Sequence, residues 1–180
     1  YGWDNSYIME CKKSQPDFFC AVVLVDPFSE NAPEELLRLK DEGADGIRIN
    51  LHLKPLSEWH TKSFFDLLWI CEKNKIPVCF QMTLDYICFI NGLAEECETV
   101  LIIDHLARPE PGTKLDDNLF QRLLLAADCP NVFIKLSGLN YFSRESAPYE
   151  DTWKLLRAAE ETFTAKRCMW GSDFPFVEEY

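Results

Sequence analysis

Val100-Leu101-Ile102-Ile103-Asp104-His105-Leu106-Ala107-Arg108-Pro109 is the stretch that decides the fold. It begins as an unbroken apolar run rich in β-branched residues, the pattern of a strand covered on both faces, and it ends abruptly in an acid and an imidazole. A strand is expected over residues 100–104. Working outward, similar short runs stand at 21–25, 46–50, 77–81, 132–136 and 167–170. Longer amphipathic stretches separate them. One opens at Asn31-Ala32-Pro33-Glu34, with Asn31 as the expected cap and Glu34 near the first backbone amides, and stops at Gly43. Further helices are expected over 56–73, 85–97, 115–127 and 149–164. Six strands with helices between them call for parallel pairing through right-handed crossovers, hence an α/β fold.

Two architectures suit that order, an open doubly wound sheet or part of an eight-stranded barrel. A complete barrel usually takes about 250 residues, so the length of 180 residues favours the open sheet. The polar residues point the other way. Nearly every expected strand ends in groups that can do chemistry: Asp26, then Arg48 and Asn50, Gln81, Asp104 and His105, Lys135 and Ser137, and Ser172 and Asp173. Such a ring belongs at the C-terminal mouth of a barrel.

Composition narrows the function classes. With 47% hydrophobic, 13% aromatic and 27% charged residues the chain has a globular profile, and no repeat or low-complexity linker interrupts it. Eighteen Lys and Arg against thirty Asp and Glu leave a formal charge of −12, which repels phosphate backbones and anionic lipid. Nucleic acid is excluded as a partner. The apolar stretches are broken by charge well before the roughly 18 residues a membrane helix needs, so no membrane association and no signal peptide are expected. Eight scattered cysteines, with no two-residue spacing of a zinc knuckle, are expected to be buried thiols in a reducing, cytoplasmic setting. Because the chain opens on Tyr1 rather than methionine, it is expected to be a piece of a longer polypeptide.

No glycine-rich nucleotide loop, P-loop, nucleophile elbow or paired-histidine zinc helix occurs in the sequence. His105, straight after an apolar strand, could bind a metal, polarise a carbonyl or shuttle a proton; the blander alternative is a loop histidine held by hydrogen bonds. Asp173, in Met169-Trp170-Gly171-Ser172-Asp173-Phe174-Pro175, ends a strand in the same way, or else caps the next helix. Together at the mouth of one parallel sheet, the two could activate a water and stabilise developing charge. Arg48 and Asn50 share a strand face by the two-residue period and could grip a carboxylate, or form a structural ion pair instead. Lys135 and Ser137 share a face by the same arithmetic, and a lysine in an apolar strand must be paired. Gln81 ends its strand as a neutral hydrogen-bonding group, while Asp26 before Pro27 suits a turn. His52 and His60 read as surface or packing residues, and Trp59, Phe64, Phe65, Leu68 and Trp69 as core.

Three blocks in order, Asp104-His105-Leu106-Ala107-Arg108-Pro109, Asn131 to Gly138 and Met169 to Pro175, resemble the amidohydrolase-related family. These are TIM-barrel hydrolases that include sugar-lactone and pyrone-dicarboxylate lactonases. Residues 21–27 and 43–51 match its earlier blocks, and Tyr1-Gly2-Trp3-Asp4-Asn5-Ser6-Tyr7 resembles the segment after the second strand. The resemblance implies a partial (β/α)8 barrel, strands three to eight, with residues 1–180 as a single barrel domain incomplete at both ends. It also implies a hydrolase opening a lactone or similar cyclic carbonyl compound. In that scheme Asp173 is the base that takes a proton from water, His105 polarises the carbonyl or binds a leaving oxygen, and Arg48 holds a substrate carboxylate. Lys135 and Gln81 are second contacts.

The family's metal site draws on a His-x-His pair on its first strand, which is absent here, and Gln81 stands where metal-binding branches put a histidine. The expected cofactor is therefore one divalent metal such as zinc, with His105 and Asp173 as its ligands here, or none. The expected partner is a small-molecule substrate, with a homo-oligomer as a further expectation. The rival readings are a related decarboxylase and a short non-catalytic paralogue stabilised by a partner, since an incomplete barrel exposes sheet edges.

Overall fold

The computed structural model describes residues 2–179, and they form two compact units that divide between Phe80 and Gln81. The first carries α1 (Ser6–Ser14), β1 (Val22–Val23), α2 (Ala32–Asp41), β2 (Gly46–Asn50), α3 (Lys62–Lys73) and all but the last residue of β3 (Val78–Gln81). The second carries α4 (Ile87–Glu96), β4 (Leu101–Ile103), α5 (Asn118–Leu125), β5 (Val132–Leu136), α6 (Trp153–Phe163) and β6 (Cys168–Trp170). Strand alternates with helix throughout, and strand order within each unit follows chain order. Neither unit contains the reversal at which a doubly wound sheet opens its crevice.

In the first unit β1 runs parallel to β2, with Val22 opposite Gly46 and Val23 opposite Ile47. Gly46 packs closely on the next segment, since a Cβ there would lie 3.1 Å from the carbonyl oxygen of Pro77. β1 is shorter than the expected 21–25 because side chains take over its backbone groups. The Asn5 carboxamide donates to the Leu24 carbonyl and accepts from its amide, both at 2.8 Å. Asp45 accepts from the Ala21 amide at 2.7 Å and pairs with Lys12, whose ammonium also reaches the Pro16 and Phe19 carbonyls. Lys12 belongs to α1, a helix the apolar pattern did not announce, since it buries only Met9.

In the first unit two expected helix starts need correction. The Asn31 side chain makes no capping bond, and α2 is seeded by Pro33 in its first turn and by Glu34 and Glu35. α3 begins at Lys62, not at residue 56, because Thr61 is extended and its side chain accepts from the Phe64 amide. The segment before it is a three-ten turn, Leu56–Glu58, after Pro55. Trp59 is fully buried and donates its indole N–H to the Leu51 and Lys54 carbonyls. Phe64 and Leu68 are core as expected, but Phe65 and Trp69 lie on the outer side of α3, and Trp69 is 57% exposed. His52 and His60 are exposed.

In the second unit β4, β5 and β6 are parallel, with Ile103 opposite Ile134, and Ile134 opposite Cys168. Asp117 caps α5 by accepting from the Leu119 and Phe120 amides, which delays its start beyond residue 115. Asn131 donates to the Cys97 and Thr99 carbonyls and so fixes the entry of β4 beside that of β5. Arg167 donates to the Ala127, Cys129 and Val132 carbonyls, which run from just after α5 to the first residue of β5. All eight cysteines are free thiols; Cys71 and Cys79 are buried, but Cys20 and Cys88 are exposed, so the expectation of uniformly buried thiols is corrected. Among the described residues no helix is long and apolar enough to cross a membrane.

Candidate active site

The chemistry of the second unit gathers just beyond the C-terminal ends of β4, β5 and β6. After β4 the backbone turns through a left-handed loop: His105, Leu106, Ala107 and Arg108 have φ of 51°, 54°, 57° and 41°. The bond from the Arg108 amide to the His105 carbonyl, 2.8 Å, closes it. None of these residues is a glycine, and each such residue costs about 1–2 kcal/mol. The turn is nevertheless buried, with Asp104 1% and His105 5% exposed. Backbone strain held inside a packed site must be offset by its surroundings.

The offsetting contacts come from one segment, residues 135–141, which runs from the end of β5 into a three-ten turn, Leu139–Tyr141. Lys135 pairs with Asp104 at 2.7 Å, which supplies the partner that an apolar strand demands of a lysine. Ser137 Oγ lies 2.9 Å from Nδ1 of His105. Tyr141, at the end of the three-ten turn, has the Arg108 guanidinium 4.0 Å from its ring centroid, a cation–π contact. Gly138 sits between them with φ of 64°, and a Cβ there would lie 2.8 Å from Cδ2 of Tyr141 and 3.0 Å from Nδ1 of His105. Only a glycine meets both demands.

Asp173 completes the group from beyond β6, also in the left-handed region with φ of 57°. Its Oδ1 lies 3.5 Å from Nε2 of His105, and its Oδ2 accepts the phenol proton of Tyr141. The connectivity Ser137, His105, Asp173 has the look of a serine triad, but Ser137 is the most deeply buried of the three, 3% exposed against 5% for His105. It orients the imidazole instead. The other two groups are a carboxylate and an imidazole side by side, the carboxylate the more exposed with 12% of its side chain accessible, a pair that can take a proton from water and polarise an acyl oxygen.

The expected site residues thus fall into two sets. His105, Asp173 and Lys135 come together in the second unit. Arg48 and Asn50 lie on β2 in the first, both half-buried, and Arg48 Nε donates to Asn50 Oδ1 at 3.2 Å, so the shared face read from the period is real. Gln81 is half-buried at the end of β3. Tyr141 and Arg108 carried no assigned role in the sequence; the signals were an aromatic three residues after Gly138 and a basic residue at the close of the His105 turn. For a metal, the described residues contain no group of three or more His, Cys, Asp or Glu side chains. His105 and Asp173 are two donors already turned toward each other, short of the three protein ligands of a catalytic zinc.

Comparison with known proteins then places the chain. Residues 1–179 match the family model described as amidohydrolase. The chain belongs to the amidohydrolase family. Over 179 residues this amidohydrolase is 27% identical to a 4-sulfomuconolactone hydrolase of Hydrogenophaga intermedia, covering 97% of the chain and 57% of that protein. Its fold matches a crystal structure from Acinetobacter baumannii described as a probable 2-pyrone-4,6-dicarboxylic acid hydrolase with citric acid bound. That match has a TM-score of 0.85 at 22% identity and covers 99% of this chain and 66% of the other. An amidohydrolase of Burkholderia multivorans with bound zinc matches with a TM-score of 0.78 at 19% identity, covering 96% of this chain and 64% of the other. The chain therefore has the α/β fold of these neighbours and spans about two thirds of their length or less, consistent with a partial barrel.

Proposed function

We propose that the protein opens a lactone or similar cyclic carbonyl compound with an activated water. The observation that carries this reading is the pairing of His105 with Asp173 at the strand ends, in a chain related to 4-sulfomuconolactone hydrolase. In the proposed reaction Asp173 takes a proton from water as the oxygen attacks the acyl carbon. His105 polarises the carbonyl oxygen, the bond from the acyl carbon to the ring oxygen breaks, and that oxygen receives the proton. Lactone and water yield one hydroxy acid. Arg48 with Asn50 holds a substrate carboxylate, and Gln81 and Lys135 are further contacts. A divalent metal such as zinc belongs to this proposal only as a group held by His105 and Asp173 with donors beyond the described residues; the zinc of the Burkholderia multivorans neighbour is the support for it. Eight free thiols support a reducing, cytoplasmic setting.

The test is Asp173→Asn in the full-length protein, assayed on a panel of lactones. Turnover is expected to fall by at least about a thousandfold with the melting temperature little changed. Near-wild-type turnover would remove Asp173 from the chemistry.

A further inference from the structure

Two oxygens of one carboxylate have different partners at this site, and the difference comes from Tyr141. An aspartate carboxyl group rotates broadly about its last bond, so its orientation must be set from outside. Tyr141 donates its phenol proton to Oδ2, which leaves Oδ1 turned toward Nε2 of His105 at 3.5 Å. The tyrosine is itself fixed. Arg108 stacks at 4.0 Å from its ring, the His105 imidazole meets it edge-on at 5.8 Å between centroids, and the missing Cβ of Gly138 leaves the room it occupies. The anchor of the ring and the imidazole partner of the carboxylate therefore come from the same left-handed turn. We infer that Tyr141 is a positioning residue that sets the orientation of the Asp173 carboxylate toward His105, with Arg108 as the clamp that holds Tyr141.

The orientation is a claim about geometry alone; its kinetic consequence rests on the proposed hydrolase reaction. Tyr141→Phe in the full-length protein keeps the ring and the Arg108 stack and removes the hydroxyl. A crystal structure of this variant is expected to show Asp173 Oδ1 turned out of reach of Nε2 of His105. On the lactone that the wild-type protein turns over, kcat is expected to fall roughly tenfold to a hundredfold, with KM within about twofold, as misplacement of a reacting group does. Arg108→Met, which keeps the hydroxyl but loosens the ring, should lower kcat less. A merely structural tyrosine would lower the melting temperature and leave kcat per folded molecule unchanged. A carboxylate that stays in place in the Tyr141→Phe structure overturns the inference, whether or not a lactone substrate has been found. A displaced carboxylate with wild-type kcat upholds the orientation and counts instead against Asp173 as the base. Failure of the hydrolase reading shows elsewhere, as active Asp173→Asn or a wild-type protein inert on lactones.

Discussion

Gly138 shows how much of this site hangs on single atoms. Its positive φ and the two near contacts of an imagined Cβ act together, so Gly138→Ala meets strain and collision at once. The variant is expected to lose about 2–4 kcal/mol of stability by denaturant titration, and its turnover should fall further than the stability loss explains. An unchanged midpoint would mean that the His105 and Tyr141 rings give way freely. At this scale the sequence revealed residues whose surroundings are linear. His105 and Asp173 stand out because each comes after an apolar strand, and Lys135 because a lysine in such a strand needs an acid, which Asp104 supplies. Arg108 and Tyr141 stayed hidden because their meeting depends on a left-handed turn built from leucine, alanine and arginine, residues with no preference for that conformation.

Strands and helices were legible wherever burial repeats, as in β2 and β5, whose expected and observed bounds coincide. Ends were harder to place, because side chains rather than periodicity terminate them: Asn5 shortens β1, Thr61 delays α3 and Asp117 delays α5. α1 escaped notice because a helix that buries one residue has almost no apolar stripe. The segment before α6 makes a pH-dependent device of the same kind. Asp151 accepts from the Arg144 amide, its strongest influence, and from the Ser143 hydroxyl, and these bonds hold its carboxyl below the ordinary aspartate range. A depressed pKa in the folded state stabilises the loop above the unfolded value of about 3.9, and that contribution fades as pH falls through the folded value. Hydrogen exchange at the Arg144 amide is therefore expected to lose protection on acidification below about pH 4, and Asp151→Asn should show weak protection already at neutral pH. Protection equal to the parent protein in that variant would reject the assignment.

For the whole molecule, the alternation of strand and helix gave the fold class, and length alone pointed to the wrong member of it. The ring of polar strand ends was the better guide, because a barrel must place its chemistry at one mouth whatever its loops do. Arg48 and Asn50 belong to the first unit, and the proposed reaction gives them a substrate carboxylate to hold. Arg48→Met in the full-length protein is expected to raise KM for lactones bearing a carboxylate by roughly tenfold or more and to leave neutral lactones little affected. Equal effects on both would assign Arg48 to structure, through its bond to Asn50.

The left-handed turn has one further consequence, which concerns length rather than identity. Asp104, His105 and Arg108 meet Lys135, Ser137 and Tyr141 in matching order, so two irregular segments are keyed to one another residue by residue. Surface loops ordinarily absorb insertions and deletions with little effect. Here, gaining or losing one residue on either side would put the later pairs out of step, so natural variation in this region is expected to exchange side chains at fixed spacing.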